Sequence, residues 1–265
     1  MSMLLEPWWL LPSLVAGLCG LVCPLLGTLL VVQQRVLTTN LMAYAVLPGV
    51  VLAKALGWPV LLGGMGGAMA AGLLAELLMA KRPSGSGQSE AVLNTVLASC
   101  LAVGVLLIQA LELPVDLDGL LFGDLLVAGP EDLLRLAGAL LLLHLLLHLR
   151  FRQLQWLGLD PDGAADLELP LRGLRLAMAG LTALVVVSAT AAVGLALVMA
   201  LICAPALAAL SGATSLRQAL TKAAGMGLTL AGLGCSLALA FNLPPGPLMA
   251  CCSLPLLWLK PSSPS

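Results

Sequence analysis

The sequence predicts an all-α bundle crossing a membrane eight or nine times, N-terminus outside and C-terminus inside. Composition, the lengths of the apolar runs and the distribution of basic residues each lead there. The chain is 60% hydrophobic and 9% charged, with mean hydropathy +1.08. Soluble domains run at about 45–50% apolar and about 25% charged. A single soluble core of 265 residues cannot hide that much apolar surface, so its solvent is lipid.

Apolar runs fall at 9–32, 41–57, 59–80, 91–113, 133–149, 174–192, 194–211, 222–242 and 246–259. A span needs about 20 such residues. The last run is short and contains Pro255, which makes the count eight or nine. Ahead of the first run stand Glu6 and no Lys or Arg, unlike the basic start of a cleaved signal, so this run reads as a retained span. Trp8 and Trp9 suit the membrane–water interface. Residues 174–211 are apolar without a polar break. One straight helix of that length would measure roughly 55 Å against a hydrocarbon core of about 30 Å. The run must therefore break and fold back, with Gly194 the natural point.

Basic residues set the orientation, because cytoplasmic loops are enriched in Lys and Arg. With the N-terminus outside, Arg35, Lys81, Arg82, Arg150, Arg152, Arg172, Arg175, Arg217, Lys222 and Lys260 fall inside, and only Lys54 and Arg135 outside. The whole chain reads as one membrane domain. Its largest inner loop is 150–173, and RPSGSGQSE at 82–90 is a short flexible connector. Glycines four apart, as at Gly63 and Gly67, allow helix backbones to approach closely.

Several chemistries find no support. A net charge of −1 gives no electrostatic case for nucleic acid. There is no GxxxxGK[ST] loop, GxSxG elbow or HExxH pair, so the chain is not expected to be an enzyme, and ATP-driven work would need another polypeptide. No CxxC occurs among the seven cysteines, and packing accounts for them better than metal binding. His144 and His148 are four apart near the inner end of the fifth span. That spacing suits one metal ion, although capping and headgroup contact explain the pair as simply.

TTNLMAYAVLPG, residues 38–49, breaks the apolar pattern most clearly. Asn40 and Tyr44 are one helical turn apart and project from one face, and Pro48 follows a turn later. Proline has no N–H, so the Tyr44 carbonyl loses its helical donor. The result is a strip of neutral oxygen ligands. It fits a permeation path, or a kinked packing helix whose polar groups satisfy one another.

The same residues carry a resemblance. AYAVLPG resembles the second-span motif DALSHAVLPG of the manganese, zinc and iron type of metal-ion ABC importer permeases. SEAVLNTVLASCLAVGVLL is similar to that family's fourth-span stretch, and VDLDGLLFGDLL to its VDLDxxLFG at Asp116, Asp118, Phe122 and Gly123. LDPDGAADLELPL resembles FDPEFARALGLPV at Asp160 and Pro161, AVGLALVMALICAPALAAL resembles AVGVILVVALLIIPAATA at Gly194 and Pro205, and LPPGPL resembles LPSGPT.

The resemblance implies a membrane permease that binds no cofactor of its own and takes a divalent metal ion as substrate. Its implied partners are a cytoplasmic ATPase, an extracytoplasmic metal-binding protein and a second permease copy, with a homodimer expected in a plasma membrane. Asp160 and Pro161 would couple the inner loop to the ATPase, and Asn40, Tyr44, Pro48, Asp116, Asp118 and His144 are the ion-path candidates. Asp116 and Asp118 would funnel ions, or simply solvate an outer loop. One departure weighs on this. The family has Asp and His where this chain has Asn40 and Tyr44, and an amide and a phenol bind first-row dications more weakly. Neutral oxygens favour a hard ion, hence manganese over zinc. A different substrate, or a permease-like subunit that has lost its ion path, is the alternative. A secondary transporter is disfavoured by the absence of paired mid-membrane carboxylates.

Overall fold

In lipid the backbone must satisfy its own N–H and C=O groups, so apolar runs of this kind become helices. A computed structural model describes residues 7–80, 86–112, 119, 123, 125–159, 171–241 and 243–258. Among them are nine α-helices and no strand. In chain order they are α1 (Pro7–Val32), α2 (Val36–Leu56), α3 (Val60–Ala80), α4 (Ser86–Ala110), α5 (Pro130–Leu159), α6 (Leu171–Val193), α7 (Leu195–Ser211), α8 (Leu216–Phe241) and α9 (Pro245–Cys252). A 3-10 turn, Leu254–Trp258, follows α9. Seven of these helices, α1 to α6 and α8, are long and apolar enough to cross a membrane, while α7 and the α9 segment are shorter apolar helices.

Several boundaries differ from the sequence expectation: α4 starts at Ser86, not 91, so residues 86–90 of the expected flexible connector are helical, α8 starts at Leu216, not 222, and α9 ends at Cys252, not 259. Helix α2 starts at Val36, not 41, so the polar residues 38–40 lie in its first turns. The Thr39 hydroxyl donates to the Arg35 carbonyl at 3.0 Å, which keeps the polar side chain satisfied inside the helix. Helix α5 runs to Leu159, with non-helical backbone at Arg150 (φ −125°, ψ 21°), so the start of the expected inner loop is helical. The expected break in 174–211 falls at Gly194, whose φ of 82° and ψ of 157° suit glycine. Gly123, also at positive φ (72°), lies against the Val193 carbonyl where a side chain would collide.

The described residues group into two compact units. One draws on 1–34, 118–171 and 188–265. Its centre is α1, which packs along α8, α7 and α5. Cys19, Val22, Cys23 and Leu26 are fully buried on α1. At Gly20 an added Cβ would sit 2.6 Å from the Gly227 carbonyl oxygen, and Gly27 lies against the Ile202 carbonyl of α7. Lipid tails are as apolar as leucine, so this close van der Waals fit, not water exclusion, favours association.

The other unit draws on 35–117 and 172–187. Helices α2 and α3 run antiparallel, since Gly49 meets Gly63 and Gly67, Met42 meets Gly72, and Arg35 meets Glu76. Helix α4 closes a core of Leu41, Ala45, Ala71, Ala75, Leu93 and Val96. Its Gly104 faces Leu47 and Pro48 of α2.

Candidate functional site

The stretch 38–49 is continuous helix in α2, running through Pro48. Leu41 to Ala43, Ala45 to Leu47, and Gly49 to Val51 are all buried. Asn40, Tyr44 and Pro48 are the half-buried positions between them, spaced one turn apart. The helix therefore presents one narrow open stripe, and that stripe carries its amide, its phenol and its proline. Because Pro48 lacks an N–H, the Tyr44 carbonyl has no i+4 donor and adds an oxygen to the stripe. The Cβ position of Gly104 lies 3.2 Å from Pro48 Cδ, so α4 bounds the stripe at its C-terminal end.

At the opposite end of α2, Arg35 Nη1 meets Glu76 Oε1 of α3 at 3.3 Å. Arg35 precedes Asn40 by five residues, about 7.5 Å along a helix axis. Sequence position alone associates Glu76 with Lys81, which lies outside the described residues; the antiparallel packing of α2 on α3 brings Arg35 to it. The half-exposed pair ties the two helices at one end and contributes at most about 1 kcal/mol.

The other candidates are dispersed. His144 is exposed on α5 among Leu141, Leu142 and Leu145, on the face away from buried Leu136, Ala139 and Leu143. His148 is exposed one turn further on. Asp116, Asp118, Asp160 and Pro161 lie outside the described residues. Among the described residues no three His, Cys, Asp or Glu side chains gather as a metal site. The stripe on α2 thus stands as a row of neutral oxygens, suited to brief contacts with an ion and not to tight capture.

The sequence pattern of the ABC 3 transport family matches residues 9–260. The chain belongs to this family. Relatives include the chelated iron transport system membrane protein YfeD of Yersinia pestis, 30% identical over 88% of this chain and 79% of its own length. The manganese import system permease protein ScaB of Streptococcus gordonii is 28% identical over 88% of this chain and 83% of its own. An uncharacterized membrane protein of Cyanophora paradoxa is 29% identical over 89% of this chain and 79% of its own. Among solved structures, PsaBC from Streptococcus pneumoniae in complex with Fab has the same fold, with TM-score 0.88, 24% identity, and coverage of 97% of this chain and 92% of that one. As an ABC 3 family member the chain is a multi-pass membrane protein of ABC transport type.

Proposed function

We propose that the chain is the membrane-spanning permease subunit of an ATP-driven divalent metal importer, with manganese favoured over zinc or iron. The open Asn40–Tyr44–Pro48 stripe carries this reading, in a family whose relatives have manganese and iron systems in their names. Neutral oxygens hold a hard dication loosely, and conduction requires that the ion leave as readily as it enters. The chain is oriented with its N-terminus outside, in a plasma membrane. A cytoplasmic ATPase, an extracytoplasmic metal-binding protein and a second copy of the permease complete the transporter. In this reading Asp116 and Asp118 collect ions at the outer mouth, and Asp160 and Pro161 pass the ATPase stroke to the helices. His144, exposed on α5, contributes only if that face meets the second copy.

A second reading is favoured by the stripe's chemistry itself. Asn40 and Tyr44 in place of Asp and His fit a transporter of another substrate, or a subunit that no longer conducts. Elemental content separates the two readings. Cells lacking the chain are compared with complemented cells under manganese and zinc limitation. A selective, restorable loss of manganese is expected. Unchanged content of every metal, with the protein present in the membrane, would reject import.

A further inference from the structure

We propose that the end of the first unit where α5 meets α8 binds the headgroup of an anionic phospholipid. Helix α5 leaves helical geometry at Arg150 and then continues to Leu159. In this last segment Leu154 and Leu157 are buried, while Arg152 and Trp156, one turn apart, are exposed. Gly158 packs on Val32 and Gln33 at the end of α1, which fixes the segment's position. Arg217, near the start of α8, stacks over the Phe151 ring with its guanidinium carbon 4.9 Å from the centroid. Arg150 and Arg152 are the sequence neighbours of that phenylalanine, so three arginines belong to this end of the unit. Arg150 is braced by donating to Gln153 Oε1 at 3.1 Å. Nearby Lys222 is engaged by the Gly212 carbonyl.

No opposing charge answers these arginines within the described residues. The acids described in this unit are Glu131 and Asp132, both held by Arg135. They stand at the far end of α5, nineteen and eighteen residues from Arg150 and so about 27–28 Å away along the axis. The approach to the cluster is mainly apolar, with His144 and His148 exposed among its leucines. Leu141, Leu142, Leu145 and Leu149 form an exposed face of α5 that runs directly up to Arg150. Trp156, exposed in the segment past Arg150, suits the interfacial level. Arginine matches phosphate geometry with paired N–H groups. Phosphate at one end and acyl chains along the leucines satisfy both halves of this surface, whereas an acidic protein patch would leave the leucine face unused. A lipid here would hold the kinked end of α5 against α8, whichever ion the chain carries.

The test uses the full-length chain purified in mild detergent and exchanged into mixed vesicles of phosphatidylglycerol and phosphatidylcholine, with retained lipid counted by native mass spectrometry. The wild type is expected to retain phosphatidylglycerol selectively. The paired variant R152Q/R217Q should lose about fivefold in that selectivity for each charge removed, and R152K/R217K should keep most of it. Three results would overturn the proposal. They are equal retention of both lipids by the wild type, unchanged selectivity in the Gln variant, or parallel loss of both lipids in that variant. Sequence places Asp160, Asp162, Asp166 and Glu168 just beyond α5, and arginines satisfied by those acids would give the first of these results.

Discussion

Tyr44 is the chain's one tyrosine, and its hydroxyl is the only hydrogen-bonding group that separates it from phenylalanine. That makes Y44F a clean probe of the stripe on α2, since the ring and its packing remain. If the phenol touches a passing ion, Y44F should lower manganese uptake severalfold with no fall in membrane abundance, measured by isotope uptake in whole cells. N40D probes the same stripe from the other side. A carboxylate in place of the amide binds a dication more tightly, so half-saturation should fall to lower manganese concentration while the maximal rate drops as release slows. If both variants match the wild type in both parameters, the ion does not use this stripe. Tyr44, Asn40 and Pro48 are legible as a group from the amino-acid sequence, because a polar pair one turn apart in an apolar run is expensive without a purpose. The Arg35–Glu76 pair is not, because nothing in local sequence fixes the register of α2 on α3.

Helix packing puts glycines to very different uses along a single helix. On α1, Gly27 faces the Ile202 carbonyl of α7 with no room for a Cβ, while a Cβ at Gly17 would meet nothing within 4 Å. G27A should therefore destabilise the protein by about 1–3 kcal/mol through overpacking. G17A should be neutral or raise stability by up to about 1 kcal/mol, since alanine is the better helix former. Thermal unfolding of both variants in detergent checks the pair, and equal midpoints would remove the close α1–α7 contact as a stabilising feature. Apolar run length alone locates all nine helices to within a few residues at most ends, and the length of 174–211 places the break at Gly194. Most of the ends that differ are those where polar residues are helical. Thr39 satisfies its hydroxyl on the Arg35 carbonyl one turn back, and the segment after Arg150 buries Leu154, between two glutamines, and Leu157. A reading by hydropathy stops at such residues although the backbone does not.

Across the whole molecule, the unequal distribution of basic residues favours one orientation over the other. In the proposed orientation the basic-residue bias assigns Lys81 and Arg82 to the inner side along with Arg150, Arg152 and Arg217. The orientation then has a direct readout. In S84C, a membrane-impermeant maleimide should label the connector in inverted vesicles and leave it unlabelled in intact cells, and E112C should show the opposite pattern. The native cysteines do not confuse this assay provided the unsubstituted chain is run alongside, because Cys19, Cys23 and Cys235 are buried and the signal read is the increment from the new thiol. Reversal at both sites would turn the molecule over. The arginines of the proposed lipid site would then face the outer leaflet, and Asp160 and Pro161 would lie on the wrong side to meet a cytoplasmic ATPase. Ion entry, energy coupling and lipid binding all depend on this one sidedness, so labelling at two positions constrains them together.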